Sequence, residues 1–185
     1  MIEDILLEAV DKMERAVAHV QSQYSTVRTG RANPALVEKL PVEYYGSTVP
    51  LQQIAGFQVP EARTLVVKPH DRGAMAAIER AIRDSDLGLQ PSNDGVVIRL
   101  SFPVLTEERR KEYVKVVKNM SEDGRVAVRN VRRDARKQLE TSEKNSEFSK
   151  DDLERSEKEL DKYTQEHIEQ IDKAFARKEQ ELLEV

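Results

Sequence analysis

The chain has 185 residues, of which 35% are charged and 5% aromatic, with a net charge of −4 and no cysteine. That composition suits long solvated helices, and it excludes a disulfide framework, a cysteine-based zinc cluster and a thiol nucleophile. No apolar run approaches the eighteen or so residues of a membrane span, and the acidic start Met1-Ile2-Glu3-Asp4 lacks the basic region of a signal peptide, so a cytoplasmic chain without membrane association is expected.

Helix breakers are segregated. All seven prolines fall between Pro34 and Pro103, and six of seven glycines between Gly30 and Gly95, Gly124 being the exception. Proline costs about 3 kcal/mol inside a helix, so long helices are confined to the two flanks. The first flank repeats apolar residues at threes and fours: Ile2, Ile5, Leu6, Ala9, Val10, Met13, Ala16, Val17, Val20, Tyr24 and Val27. This is one buried stripe of one helix, with Thr29-Gly30 expected to end it.

The middle reads differently. Val42 to Gly46, Leu65 to Lys68 and Val96 to Leu100 are expected strands, each bounded by Gly or Pro. Gly73 to about Leu87 has helical spacing at Met75, Ile78, Ala81 and Ile82, and Gly88 suits a stop. Asn93-Asp94-Gly95 reads as a turn into the last strand.

A second long helix is expected from Thr106, an N-cap followed by Glu107 and Glu108 at the positive end of the helix dipole. Its seam runs through Tyr113, Val117, Met120, Gly124, Ala127 and Val131, and the register holds across the weak stretch Ser121-Glu122-Asp123-Gly124, which favours one helix to about Leu139 or beyond. A third helix should start at Ser149, with Asp152 as a capping-box partner. Its apolar residues are Leu153, Leu160, Tyr163, Ile168, Ile171, Phe175 and Leu182, with an alternate phase through Thr164 and His167. The expected architecture is α+β: an elongated three-helix bundle from residues 1–30 and 105–185, with a small α/β (β-α-β sandwich) domain inserted at 31–104. Thr29 and Gly30 on one connection, and Pro103, Val104 and Leu105 on the other, are the expected hinge.

Charge is unevenly placed. Residues 106–137 carry eleven basic and six acidic groups, whereas residues 138–185 carry eight and fifteen. Lys111, Lys115, Lys118, Arg125, Arg129, Arg132 and Arg136 follow the seam at a constant offset, so they line one stripe of the second helix, with Arg133 beside it and Glu122 within it. Guanidinium forks suit phosphate oxygens, and a straight basic stripe suits a nucleic-acid backbone. The competing reading is a solvated face paired with acids of the other two helices. No aromatic residue interleaves the stripe, so RNA would be held by shape and phosphate. Arg28-Thr29-Gly30-Arg31-Ala32-Asn33-Pro34 is either a second backbone contact, through Arg28 and Arg31, or only a helix end and linker.

Signals for enzyme chemistry are missing. His19, His70 and His167 lack metal-ligand spacing. No phosphate-binding or dinucleotide-binding glycine loop is present, and Asp71 and Asp94 sit where capping explains them. No catalytic residue, metal or cofactor is expected. A helical scaffold or oligomerisation module without RNA binding is the alternative reading, against which Gly124 and the inserted domain both count.

Several motifs carry a resemblance. Arg28 to Pro34, Glu43-Tyr44-Tyr45-Gly46, Ser85 to Leu89, Asn93-Asp94-Gly95, Leu105 to Arg110 and Arg129 to Ala135 resemble, in order and over the whole length, the bacterial ribosome recycling factor family. The resemblance implies an L-shaped, monomeric protein with roughly the outline of a transfer RNA. It implies binding of the post-termination ribosome through large-subunit ribosomal RNA, with dissociation driven by elongation factor G and its GTP. Arg129, Arg132 and Arg133 match positions that face RNA in that family.

Overall fold

The computed structural model describes residues 1–184 and resolves two compact units. One comprises Met1–Tyr24 with Lys111–Val185, the other Ser25–Arg110. The smaller unit therefore extends about six residues at each end beyond the 31–104 read from proline and glycine placement. Val27 is buried, and the Asn33 side-chain amide donates to the Ser25 carbonyl at 3.0 Å, so the stretch after the first helix packs as part of the smaller unit.

The larger unit is built from three helices: α1 (Ile2–Ser25), α3 (Glu107–Lys144, whose first turn belongs to the smaller unit) and α4 (Lys150–Leu183). The first ends earlier than expected. Gly30, at φ +79°, is not its cap but lies against Leu105, and the Ser25 carbonyl at the end of α1 instead accepts from the Asn33 side-chain amide. The 38 residues of α3 run unbroken through Ser121–Gly124, about 57 Å at helical rise. The Thr106 hydroxyl accepts from the Arg109 amide at 3.2 Å. A capping box opens α4, with the Ser149 hydroxyl and the Asp152 carboxylate each meeting the other's backbone N–H.

The buried faces of α3 and α4 are more polar than their apolar spacing suggested. In α3 the innermost residues are Val117, Ser121, Gly124, Val128, Ala135 and Leu139, while Tyr113, Met120, Ala127 and Val131 are half-buried. Burying Ser121 is tolerated because its hydroxyl has two partners, the Tyr24 hydroxyl of α1 and the Val117 carbonyl at 2.7 Å. In α4 the alternate phase is the inner one: Ser156, Leu160, Thr164, His167, Ile171, Ala174, Lys178 and Leu182. Leu153, Tyr163, Ile168 and Phe175 are half-buried instead. The polar members satisfy themselves within the helix. Ser156 and Thr164 donate to carbonyls three and four residues back at 2.8 Å, and His167 Nδ1 lies 2.6 Å from the Tyr163 carbonyl. Gly124 explains the close approach of all three helices. A Cβ there would overlap the Val20 side chain of α1 and reach 3.3 Å from Ile171 Cδ1 of α4.

The smaller unit holds six strands, twice the number legible in the sequence. A hairpin pairs β1 (Pro41–Tyr44) with β2 (Ser47–Pro50), and a four-stranded antiparallel sheet has the order β3-β4-β6-β5, from Ala55–Glu61, Thr64–Pro69, Ile98–Ser101 and Pro91–Asn93. Helix α2 (Met75–Asp84) connects β4 to β5. It stops before Leu87 and well before Gly88, because the Ser85 hydroxyl donates to the Ile82 carbonyl at 2.6 Å and closes the last turn. Val42, Leu51, Leu65, Val67, Ile78, Ile82, Ile98 and Leu100 form a fully buried core between the sheets and α2.

Candidate nucleic-acid interface

The basic residues of α3 lie next to its buried face, on the side toward α4. Each step of three or four residues along a helix returns to nearly the same azimuth, so Lys118, Arg125, Arg129, Arg132 and Arg136 share one stripe, with Arg133 on its outer edge. The stripe divides into two lanes. Arg125 Nε meets the Asp172 carboxylate at 2.7 Å and its Nη1 meets Glu122 at 3.2 Å, leaving the side chain only 18% exposed. Arg132 Nε meets Asp161 at 2.6 Å. Arg136 Nε is shared between Glu140 at 3.1 Å and Glu157 at 3.2 Å. These are cross-helix clamps between α3 and α4. The partner number falls on α4 as the arginine number rises on α3, as antiparallel packing requires.

The electrostatics agree. Burial works against the Arg125 charge, but Asp172 and Glu122 more than restore it, so its pKa is raised. Glu157 and then Glu140 raise that of Arg136. Both guanidiniums remain charged at any physiological pH.

The outer lane is different. Lys118 and Arg133 are exposed and hold no ion pair among the described residues. Arg129 is exposed and, among the described residues, its ion pair is with Glu122, at 3.3 Å. Such surface pairs contribute at most about 1 kcal/mol and exchange readily for another anion. The outer lane therefore offers three cations for phosphate oxygens, mounted on a helix whose inner arginines are fixed by α4.

Arg28 and Arg31 belong to the smaller unit. The Arg28 guanidinium donates to the Asp86 carbonyl at 3.4 Å, and Arg31 is exposed. Thr29, Gly30, Pro103, Val104 and Leu105 also fall in this unit, where Gly30 abuts the Leu105 backbone and the Pro103 carbonyl. The sequence raised pairing with acids of the other helices but did not identify which acids clamp which arginines. Asp161, Glu157 and Asp172 have their own helical spacing on α4, and an acidic stripe opposite a basic one was the available signal.

His19 and His70 are exposed and His167 is buried within α4. Asp71 accepts from the Gly73 amide at 2.8 Å, and Asp94 from the Val96 and Val97 amides at 2.9 Å, so both close turns. Among the described residues no group of three His, Asp or Glu side chains is placed to hold a metal ion. No helix of the structure is long and apolar enough to cross a membrane.

Comparison with known proteins agrees along the whole chain. The ribosome recycling factor family model matches residues 20–183. The ribosome-recycling factor of Cutibacterium acnes is 54% identical over 182 residues, covering 98% of this chain and 99% of its own. That of Kocuria rhizophila is 55% identical over 183 residues, covering 99% of each. A solution structure of the ribosome recycling factor is similar with a TM-score of 0.77 at 42% identity, over 100% of this chain and 98% of its own. A second similar structure has a TM-score of 0.70 at 46% identity over 100% of both chains. It is the ribosome recycling factor of T. thermophilus, described together with elongation factor G of E. coli on the E. coli post-termination complex. With a family match over nearly all its length and relatives of more than half identity, this chain belongs to the ribosome recycling factor family of non-enzymatic translation factors.

Proposed function

We propose that this chain binds the post-termination ribosome through large-subunit ribosomal RNA and, with elongation factor G and GTP, promotes its dissociation into subunits and release from mRNA. The observation that carries this reading is the full-length similarity to a recycling factor described with elongation factor G on a post-termination complex. The chain acts in the cytoplasm as a monomer. The GTP belongs to the partner, and this chain supplies a surface and a lever.

The RNA contact is the outer lane of α3. Lys118, Arg129 and Arg133 take phosphate oxygens, and Arg125, Arg132 and Arg136 keep that lane straight by clamping α4. Arg28 and Arg31 provide a second backbone contact from the smaller unit. Thr29 and Gly30, with Pro103, Val104 and Leu105, form the hinge through which a push on the smaller unit is turned into displacement.

The test is light scattering of post-termination ribosomes. This chain alone is expected to leave them associated, and addition of elongation factor G with GTP to give rapid loss of scattering. A loss no faster than with the GTPase and GTP alone would overturn the proposal.

A further inference from the structure

The motif Glu43-Tyr44-Tyr45-Gly46 takes no part in the RNA contact, yet the structure spends an unusual conformation on it. Tyr44 pairs with Ser47 across the hairpin, so Tyr45 and Gly46 are its two turn residues, at φ +48° and +80°. Tight hairpin turns of this kind need positive φ at both positions and favour Asn, Asp or Gly. A bulky side chain there is uncommon. Burial does not compensate, because Tyr45 is 79% exposed.

Two contacts fix the ring in place. Its hydroxyl donates to Asp71 Oδ2 at 2.8 Å. The Tyr44 and Tyr45 rings meet edge to face, with centroids 4.5 Å apart and planes at 72°. Asp71 also accepts from the Gly73 amide at 2.8 Å and from the Tyr44 hydroxyl at 3.4 Å. The Gly73 amide first, then Tyr45, holds this carboxyl below the usual carboxylate range. No lysine or arginine pairs with Asp71 among the described residues; Arg72, next in the chain, is exposed and not paired with it. Glu43, beside Tyr44 in the sequence, is another exposed acid.

The result is a fixed, exposed aromatic face beside an ionised carboxylate with no counter-charge. Phosphate is repelled there. A guanidinium fits, because it stacks on an aromatic face while its N–H groups reach a carboxylate. Strained backbone held by its surroundings is characteristic of functional positions, and tyrosine is enriched at the energetic centres of protein interfaces.

We propose that the Tyr45–Asp71 corner is a docking site for an arginine side chain presented by a protein partner. The site stands independently of the RNA contact on α3.

The experiment is an NMR titration of the full-length chain with N-acetyl-arginine methylamide, followed at the Tyr45 ring and the Gly73 amide. A saturable shift is expected in the millimolar range, with the lysine analogue at least about fivefold weaker for want of a planar fork. Tyr45→Asn suits the turn and keeps the hairpin, and it should remove the Gly73 response while leaving distant resonances unchanged. Asp71→Asn should weaken the response by at least about fivefold through loss of the charge. A linear response, equal shifts with lysine, or binding that survives Tyr45→Asn would overturn the proposal. Tighter binding of adenosine monophosphate than of the arginine analogue would assign the ring to base stacking and overturn it equally.

Discussion

Replacing Gly124 by alanine sets two effects against each other, and the structure decides between them. Glycine is the worse helix former in the interior of α3, so alanine gains about 1 kcal/mol in propensity. The new methyl, however, would overlap Val20 of α1 and press on Ile171 of α4 at 3.3 Å. Neither neighbour has room to yield, since Val20 and Ile171 are both buried and Val20 is β-branched, with one strongly preferred rotamer in a helix. Overpacking of this kind costs roughly 1–3 kcal/mol, and an overlap this deep lies toward the upper end. The net expectation is a loss of about 1–2 kcal/mol, or roughly 2–8 °C in melting temperature for a chain of this length. The assay is thermal unfolding followed by circular dichroism at 222 nm, with a denaturant titration beside it. The double variant Val20→Ala/Gly124→Ala should be more stable than the two single changes imply when added, by about 1–2 kcal/mol, because the alanine methyl fills the space the valine vacates. A Gly124→Ala protein that melts at or above the parent temperature, or a double variant showing strict additivity, would refute the three-helix contact as the reason for this glycine.

Changing Lys118, Arg129 and Arg133 together to alanine should weaken large-subunit binding and lower the slope of log affinity against log salt by roughly 2–3. Its melting temperature should barely move, because exposed charges contribute little to stability; an unchanged slope would show the outer lane to be only solvated. Tyr24→Phe removes one of the two hydrogen bonds of the buried Ser121 hydroxyl, which keeps the Val117 carbonyl, and should cost about 0.5–1.5 kcal/mol in denaturant unfolding. Burial raises the Tyr24 pKa, so its contribution is complete below the unfolded tyrosine value near 10 and declines as pH rises through the folded one. The alkaline loss of stability should therefore be smaller in Tyr24→Phe than in the parent. Ser149→Ala removes the N-cap of α4 and should destabilise the larger unit by about 1 kcal/mol. Asp152, whose pKa is lowered mainly by the Ser149 hydroxyl, stabilises above the unfolded value near 4 and loses this as pH falls through the folded one. Asp152→Asn should accordingly flatten the acid limb of a stability–pH profile, and an unaltered limb would count against the capping box.

The elements that rest on local physics were legible in the chain itself. Proline and glycine confined to the middle forced long helices onto the flanks, Thr106 and Ser149 marked helix starts through their hydroxyls, and the Asp94 turn followed from its side chain's reach to nearby amides. The family was legible too, because motifs such as Arg129 to Ala135 resemble it in order along the chain. The rest depended on partners distant in sequence. Apolar spacing on α4 admitted two phases, and the more polar one turned inward because Ser156, Thr164 and His167 satisfy their polar atoms within the helix, which removes the usual penalty for burying them. Whether an arginine of α3 is a clamp or an open cation depends on an acid some twenty to fifty positions away, so Arg125 and Arg132 parted from Arg133 only when α4 was in place. The strands β2, β3 and β5 carry too little alternation to announce themselves and exist because neighbouring strands supply their hydrogen bonds. Likewise Tyr45 and Asp71 lie 26 residues apart, and only the hairpin's fold against that turn brings the hydroxyl to the carboxylate.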